Sequence, residues 1–402
     1  MILHINQRMH ILTVLCKGGW MPTNLSEGWR RLGCSVEEFF YGTHMGKSWS
    51  NQGLKDNHQL NAQLLATAKR LKAEGRLDLI FAVIYDDVLE VETAKQLRAL
   101  DVPMVNYHVD LVGQWYRVLR TGKYFDRVAC AQMDSWDGLR RAGIKLYYMP
   151  MAANPPVNNE TSFSQIIRFD GVLYLGSPWV YRQQVLAATA KQKIPLRIYG
   201  HNWLRTTPDS ANAQPYNKNL HDLRYYFLPR LQQEGWGRLW STVNSRLKPS
   251  SNIVTSTEIP ADCIQGSYAS SDFIPLLQGA AINLGFTHFL GIPGTSNERR
   301  QVRLREFEIP MSGGFYLTQN CSQLQELFEV EQNIATWDNL PELHEKIKYY
   351  LENPVERQKI TKAAQIHCLQ HHTWTNRFNY LLQELKLPQL KAINESISPS
   401  VP

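Results

Sequence analysis

A near-continuous apolar run at residues 77–85 (LDLIFAVIY) restricts the fold of this chain more than any other feature of the sequence. Asp78 is the one charged residue in it, as expected of a strand that is covered on both faces of a parallel sheet. Strand-like and helix-like segments alternate on either side of this run, and repeated β-α-β units build a parallel sheet through right-handed crossovers. We therefore predict a first α/β domain at residues 1–155. Its predicted strands are residues 9–16, 36–41, 77–85, 103–108, 127–131 and 145–149.

A second α/β series follows a change in composition. Residues 152–164 (AANPPVNNETSFS) are rich in Pro, Asn, Ser and Thr, which is typical of a linker, and we place the linker at 156–168. The alternation then resumes, so we predict a second domain at 169–386 and a disordered tail at 387–402. Ligands of doubly wound parallel sheets lie beyond the carboxyl ends of the strands. Two such sheets facing across a cleft would bring two ligands edge to edge, which suits group transfer.

Composition excludes several classes of protein. The 402 residues include 43 Lys and Arg against 36 Asp and Glu, a net charge of +7. The basic residues are dispersed among acidic ones, whereas nucleic-acid binding needs a clustered basic face, so we expect no nucleic-acid partner. None of the six cysteines forms a C-x-x-C pair, which excludes a zinc ribbon and a thioredoxin motif. The opening residues have no secretory pattern and no apolar run reaches about 20 residues, so we expect a cytoplasmic protein.

The most informative motif is at residues 303–318 (RLREFEIPMSGGFYLT), where a predicted helix runs into Gly313 and Gly314 and then a strand. Glu308 lies near the middle of the helix, where its carboxylate can accept charge-assisted hydrogen bonds from two ribose hydroxyls. Arg303 and Arg305 can neutralise the charge of a leaving diphosphate. The glycines let the backbone approach a ligand closely. The alternative, on spacing alone, is a helix with a glycine C-cap and surface charges.

Three stretches of the second domain match a family pattern. Residues 305–318 fit R-x-F-E-x-P-x-x-G-G-x-x-L-T, residues 351–357 fit L-x-N-P-x-E-R, and residues 372–377 fit H-T-x-x-x-R. With these motifs the chain resembles glycosyltransferases related to the spore-maturation protein CgeB, within the GT-B superfamily. Looser similarity extends back to about residue 100. The resemblance implies an α/β GT-B fold, in which two Rossmann-like doubly wound parallel-sheet domains face each other across a cleft.

The resemblance also implies a donor site in the second domain, for a nucleoside-diphosphate sugar. Residues 173–182 are similar to the strand, turn and arginine that open the donor domain, and residues 198–203 are similar to its i-y-G-x-x-W stretch. This fold generally transfers sugars without an essential metal, so we expect no cofactor and no metal. The predicted donor-binding residues are Gly176, Ser177, Arg182, Gly200, His201, Arg305, Glu308, Gly313 and Gly314.

Two departures from the family pattern affect the chemistry. Many retaining members carry two glutamates eight positions apart, but Arg300 stands where the first would be, and Glu298 is ten positions before Glu308. The pattern therefore leaves retention and inversion both open. The insertion at 202–252 is rich in Trp, Tyr and Arg. It is either an insertion whose aromatic side chains pack on the domain, or an aromatic and basic surface for an acceptor or for peripheral membrane contact.

By the same analogy the first domain binds the acceptor. Gly18 and Gly19 form a tight turn after the first strand, and Asp86 follows the third, so we predict all three on the acceptor side. His108 and Asp110 lie at the end of the fourth strand, and either can supply the base that an inverting transferase needs for the acceptor hydroxyl. The alternative for these two residues is a packed histidine and a capping aspartate.

The sequence thus predicts a glycosyltransferase that moves a sugar from a nucleoside-diphosphate sugar to a hydroxyl-bearing glycan, lipid or small molecule. One alternative is a nucleotide-sugar epimerase or hydrolase of the same fold, which would act without an acceptor. A second alternative is a non-catalytic protein that binds nucleotide sugars.

Overall fold

The computed structural model describes residues 8–42, 51–134, 136–156, 168–203, 228, 231, 259–291, 293, 295 and 298–392. The chain divides into two compact units. The first contains residues 1–150, 214–249 and 374–402, and the second contains residues 151–213 and 250–373. Most of the predicted linker, insertion and tail lies outside the described residues, so the structure does not bear on those three predictions.

The first unit is built on a six-stranded parallel sheet. All six strands overlap the predicted ones, and their order across the sheet is β2-β1-β3-β4-β5-β6. Every side chain of the central strand LIFA is buried, as its apolar run predicts. The strands are β1 (His10–Leu15), β2 (Ser35–Phe40), β3 (Leu79–Ala82), β4 (Met104–His108), β5 (Arg127–Cys130) and β6 (Leu146–Tyr148).

Helices cover this sheet through apolar faces. In the longest one, Leu64, Ala68 and Leu71 are spaced by about one helical turn and are all buried in the core of the unit. Gly75 follows this helix with φ +66°, a conformation that L-residues with a Cβ rarely adopt. The helices from Glu27 to Arg141 are α1 (Glu27–Arg31), α2 (Asn51–Ala73), α3 (Val91–Arg98), α4 (Leu111–Gln114) and α5 (Trp136–Arg141).

The second unit is built on another six-stranded parallel sheet and a short antiparallel hairpin. The sheet strands are β7 (Phe169–Leu175), β8 (Leu196–Tyr199), β9 (Ile264–Gly266), β10 (Ala280–Leu284), β13 (Tyr316–Gln319) and β14 (Ala335–Trp337), and the hairpin strands are β11 (His288–Leu290) and β12 (Arg299–Arg300). The helices among the described residues from Val180 onward are α6 (Val180–Lys191), α7 (Phe273–Gly279), α8 (Arg305–Met311), α9 (Ser322–Leu327), α10 (Leu340–Glu352), α11 (Pro354–His371) and α12 (Trp374–Glu384).

Each sheet contains a point where the order of its strands changes direction. The order of the second sheet is β9-β8-β7-β10-β13-β14, the order of dinucleotide-binding sheets, and its direction changes between β7 and β10. In the first sheet the change lies between β1 and β3. A crevice forms at the carboxyl ends of the strands at such a switch point, because the loops there leave in opposite directions. The fold therefore provides one potential ligand site per unit.

The last helix differs from the predicted domain boundary. Residues 169–386 were expected to form one domain, but α12 belongs to the first unit. Phe378 of α12 stacks on Trp29 at 3.9 Å between ring centroids, and Trp374 donates an indole hydrogen bond to Asn24 at 3.0 Å. The amphipathic pattern of α12 predicts a helix, but it does not specify which apolar surface the helix covers.

The structure also bears on cysteine pairing and on membrane spans. All six cysteines have free thiols. Within the described ranges, no helix is long and apolar enough to span a bilayer.

Candidate functional site

A cavity of about 180 Å³ opens at the switch point of the second sheet, where β7 and β10 end. It contains four of the predicted donor-binding residues together with residues that were not predicted. The lining includes Gly176, Ser177, Arg182, Asn283, Gly285, Arg303, Arg305, Glu306 and Tyr316. The motif at 303–318 and the turn after β7 are more than a hundred residues apart in sequence, and the parallel sheet brings them to one place.

Glycines allow the backbone to pack closely beside this cavity. A Cβ on Gly176 would lie 2.4 Å from the Tyr174 hydroxyl oxygen, and one on Gly200 would lie 2.2 Å from the Gly176 carbonyl oxygen. Gly200 also has φ +153°, which residues with a side chain rarely adopt. The indole of Trp203 donates a hydrogen bond to the Gly176 carbonyl at 2.8 Å. These contacts hold the turn after β7 against the end of β8.

Arg182 is buried at the cavity wall with an unsatisfied donor. Its side chain is on α6, and 8% of the residue is exposed. Nη1 donates to the Tyr174 hydroxyl at 2.9 Å, whereas Nε is buried without an acceptor. The guanidinium lies 4.9 Å from the ring centroid of Trp179. A buried cation with an unpaired N–H is costly, so a ligand that supplies an anionic acceptor here would be favoured.

Two more arginines extend the positive charge along the cavity. Arg303 lies 5.2 Å from the ring centroid of Trp179. Arg305 forms an ion pair with Glu308 at 2.7 Å and donates to the Tyr268 hydroxyl at 3.2 Å. Burial raises the pKa of Glu308, and the neighbouring Arg305 opposes that rise. The cavity thus has three guanidinium groups in its lining, and such groups suit a polyanionic ligand.

Glu306 is the main residue that the sequence analysis missed. The side chain is buried, and its Oε1 accepts from the hydroxyls of Tyr316 at 3.1 Å and Thr318 at 3.2 Å. Oε2 accepts from the backbone N–H of Arg303 at 2.8 Å. Burial raises the pKa of Glu306. The sequence contained one signal for a separate role of Glu306. Glu306 and Glu308 are two positions apart, which is about 200° around a helix, so their side chains cannot face the same side.

Several predicted donor residues lie outside the cavity lining. Gly313 has φ +81° and donates to the Pro310 carbonyl at 2.9 Å, which ends α8 as a C-cap. A Cβ on Gly314 would approach the amide nitrogen of Asn283 to 2.9 Å, so this glycine serves the packing of α8 on the sheet. His201 is exposed. The structure therefore supports the C-cap alternative for Gly313. Glu308 does not line the cavity itself, but its carboxylate forms an ion pair with Arg305, which does.

The acid displaced from the family pattern is in an ion pair. Arg300 Nε donates to Glu298 Oε1 at 2.8 Å, and Arg300 also contacts Asp338 at 3.3 Å. Arg300 is on β12 of the hairpin, outside the cavity lining. Arg300, which stands where many retaining members have their first glutamate, is thus held in ion pairs with Glu298 and Asp338.

The acceptor-side predictions lie at the switch point of the first sheet. Gly18 and Gly19 follow β1, and Gly19 has φ +78°. Asp86 follows β3 and is buried, accepting from the Thr121 hydroxyl at 2.6 Å and from the backbone N–H groups of Thr121 and Arg120. Burial raises the pKa of Asp86 to about 6. Because its carboxylate accepts these three hydrogen bonds, Asp86 fixes the loop at residues 120–121.

His108 is the last residue of β4 and Asp110 follows it, beside that switch point. His108 is completely buried, its ring lies 4.6 Å from the ring of Tyr85, and neither ring nitrogen has a hydrogen-bond partner. Burial, reinforced by the positive charge of Arg117, lowers the pKa of His108 to about 3. The imidazole is therefore neutral at physiological pH. Asp110 is half-buried and directly precedes α4.

No metal cluster is found in the part of the chain that the structure describes, where no three His, Cys, Asp or Glu side chains are grouped suitably. The fold and the cavity instead define a class. Two six-stranded parallel sheets, each with a switch point, are the α/β fold of GT-B glycosyltransferases. Residues 182–383, just over half of the chain, match the family described as Glycosyl transferase-like. The chain belongs to this family.

Solved structures with the same fold cover nearly the whole chain. Sucrose-phosphate synthase from Thermosynechococcus elongatus is 11% identical with a TM-score of 0.56, over 94% of this chain and 98% of that one. HepE from Anabaena, solved with UDP and glucose, is 13% identical with a TM-score of 0.52, over 94% and 100%. A glycosyltransferase from Rickettsia africae is 11% identical with a TM-score of 0.51, over 94% and 98%. The TM-scores and coverage show a shared fold. Comparison with curated proteins gives no match.

Proposed function

We propose that the second unit binds a nucleoside-diphosphate sugar at its switch point and that the chain transfers the sugar to a hydroxyl-bearing acceptor. The observation that carries this proposal is the guanidinium of Arg182, which is buried at the cavity wall with an unpaired Nε–H. A diphosphate supplies the anionic acceptors that this group lacks. The N-terminus of α6 follows the same turn and adds the positive end of a helix dipole.

The roles of the cavity residues follow from the charge that develops during transfer. As the bond between sugar and diphosphate breaks, negative charge grows on the leaving oxygen, and Arg182, Arg303 and Arg305 are there to stabilise it. Glu308 would accept hydrogen bonds from ribose hydroxyls. We assign the chain to the CgeB-like branch of the family on the motifs at 303–382.

The base for the acceptor hydroxyl is proposed at the carboxyl end of β4. His108 is neutral because burial lowers its pKa to about 3, and the same burial makes its free ring nitrogens weak bases while the site stays closed. Its complete burial requires a local opening before an acceptor reaches it. Asp110 is half-buried and is the second candidate. We propose that the reaction needs no metal, because arginines supply the positive charge at the diphosphate. We also propose that it takes place in the cytoplasm.

A thermal-shift panel of UDP, GDP, dTDP and ADP tests the donor proposal. A ligand that binds only the folded chain raises its melting temperature, so one nucleotide should stabilise the chain selectively. HepE was solved with UDP, which makes UDP the first nucleotide to test. If none of the four stabilises a folded sample, the chain does not bind a nucleoside diphosphate and the proposal is wrong.

A charge-removing variant then locates the site. We expect Arg182→Met to weaken binding of the stabilising nucleotide by about 10-fold or more, since a charge-assisted hydrogen bond contributes about 1.5–3 kcal/mol. Arg197→Met is the control, because Arg197 also lies over an aromatic ring, that of Phe169 at 4.2 Å, but is half-buried and does not line the cavity. Equal weakening by both variants would contradict the assignment of the site.

A further inference from the structure

Glu306, which lines the candidate donor cavity, links two different elements at its wall. Glutamates in the first turn of a helix commonly accept a hydrogen bond from a backbone N–H just before the helix, and Oε2 of Glu306 does so with Arg303. Such capping carboxylates usually have their other oxygen in water. Here Oε1 is buried and accepts from Tyr316 and Thr318, which are both on β13. One carboxylate therefore fastens the beginning of α8 to the sheet.

The neighbouring backbone is shaped to admit this network. A Cβ on Gly285, at the end of β10, would lie 2.2 Å from the Tyr316 hydroxyl oxygen and 2.3 Å from that of Thr318. Any larger residue would displace the two hydroxyls from Glu306. A carboxylate buried to 1% exposure is costly to desolvate, and its three hydrogen bonds offset that cost. The two residues that it touches at the cavity are Arg303 and Tyr316, both of which line it.

We propose that Glu306 is a positioning residue of the donor site, which acts by holding the backbone of Arg303 and the hydroxyl of Tyr316 in their places at the cavity wall. This inference rests on the proposed function, since it assigns Arg303 to the diphosphate. The mechanism is geometric. If the backbone at Arg303 moves by about 1 Å, its guanidinium no longer meets the phosphate oxygens in the same position, and misplacement on that scale costs up to about 100-fold in related contexts.

The test compares nucleotide affinity among variants of the full-length chain. The probe is whichever of UDP, GDP, dTDP and ADP stabilises the wild-type chain most, and its Kd is measured by calorimetry on folded protein. We expect Glu306→Ala to raise the Kd at least about 10-fold, because the Arg303 N–H and both hydroxyls lose their acceptor. We expect Glu306→Gln to stay within about threefold of wild type. The amide oxygen can accept from Arg303, and the amide N–H groups can donate to the hydroxyl oxygens.

Glu331→Ala is the matched control. Glu331 also accepts from a tyrosine hydroxyl, that of Tyr350 at 2.6 Å, and from a backbone N–H, that of Thr336 at 3.3 Å, but it does not line the cavity. It should lower the melting temperature and leave the Kd within about twofold of wild type. If Glu306→Ala lowers the melting temperature in the same way with an unchanged Kd, the role of Glu306 is only structural and the proposal is overturned.

Three further outcomes decide the remaining points. A Kd for Glu306→Gln as weak as that of Glu306→Ala would show that charge matters and hydrogen-bond geometry does not, which also overturns the proposal. If Glu306→Ala does not fold, Thr318→Val removes one hydroxyl donor at nearly constant volume, and we expect about a threefold higher Kd; no change would again overturn it. Failure of the wild-type chain to bind any probe would instead reject the proposed function itself.

Discussion

Burial shifts the pKa values of four ionisable side chains at the two switch points. The pKa is raised to about 6 for Asp86 and is raised for Glu306 and Glu308, whereas the pKa of His108 is lowered to about 3. In each case desolvation is the largest cause, because a low-dielectric surrounding disfavours the charged form. Ionisable groups with shifted pKa values are common at functional sites, because the shift sets whether the group carries a proton there.

Glu308 gives the most direct prediction at the scale of one residue. We expect Glu308→Ala to weaken binding of the stabilising nucleoside diphosphate by about 10-fold or more with the fold intact, because two charge-assisted hydrogen bonds to ribose are lost. Calorimetric titration measures this. Glu356→Ala is the control, since Glu356 also forms an i,i+3 ion pair, with Lys359 at 3.8 Å, on α11 and outside the cavity lining. An unchanged affinity in Glu308→Ala would exclude Glu308 from the donor site.

His108 gives a prediction about pH and stability. Its pKa is about 3 in the folded chain and about 6.5 when exposed, so between these values the unfolded chain binds the proton more strongly. The stability that comes from a neutral His108 is present above pH 6.5 and is lost as the pH falls towards 3. We expect the wild-type chain to lose up to about 2 kcal/mol through this residue between pH 7 and pH 5, measured by urea unfolding.

The matched variants isolate this effect. In His108→Leu the loss between pH 7 and pH 5 should be smaller by that amount, because no imidazole is left to titrate at that position. In His58→Gln it should stay unchanged, since the side chain of His58 is 82% exposed on α2. If all three proteins lose the same stability between the two pH values, His108 is not the buried neutral base that the structure describes.

Among the elements, those with the clearest patterns were the easiest to predict. The apolar strand β3 was found where its pattern placed it, because many residues contribute to that pattern. A strand of three residues has too few alternations to show a period of two, and of such strands in the two parallel sheets β6 was predicted whereas β9 and β14 were not. Glu306 was missed for a different reason. Its neighbours on β13 follow it closely in sequence, but the register that brings their hydroxyls to its carboxylate is set by the sheet.

The final helix tests the assignment of elements to units. Phe378 on α12 is completely buried between Trp29 and Phe81 of the first unit. We expect Phe378→Ala to lower the free energy of unfolding by about 3–5 kcal/mol, as for other large aromatic side chains in cores. Tyr380→Ala, on the 55% exposed position of the same helix, should change it by about 0.5 kcal/mol or less. A small effect of Phe378→Ala would mean that α12 is not part of this core.

On the scale of the whole molecule, the sequence predicted two α/β units but could not order their strands. Order depends on which strand each crossover returns to, and the apolar pattern of a strand does not specify its neighbour in the sheet. The order matters for function because it creates a switch point in each sheet. Topology alone offers the nucleotide two equivalent places. The side chains distinguish them, because Arg182, Arg303 and Arg305 surround the cavity of the second sheet, whereas the carboxylate of Asp86 lies at the first.

Hydrogen exchange with and without the stabilising nucleoside diphosphate tests this division. We expect slower exchange at residues 173–177, 283–286 and 303–309, and unchanged exchange at 83–87 and 106–110. At 100 times its Kd, a ligand that binds only the folded site stabilises it by about 2.7 kcal/mol, which slows exchange through local opening about 100-fold. Peptides from β14 at the far edge of the second sheet serve as the internal reference. Protection confined to 83–87 and 106–110 would place the nucleotide at the first switch point and reverse the assignment of donor and acceptor units.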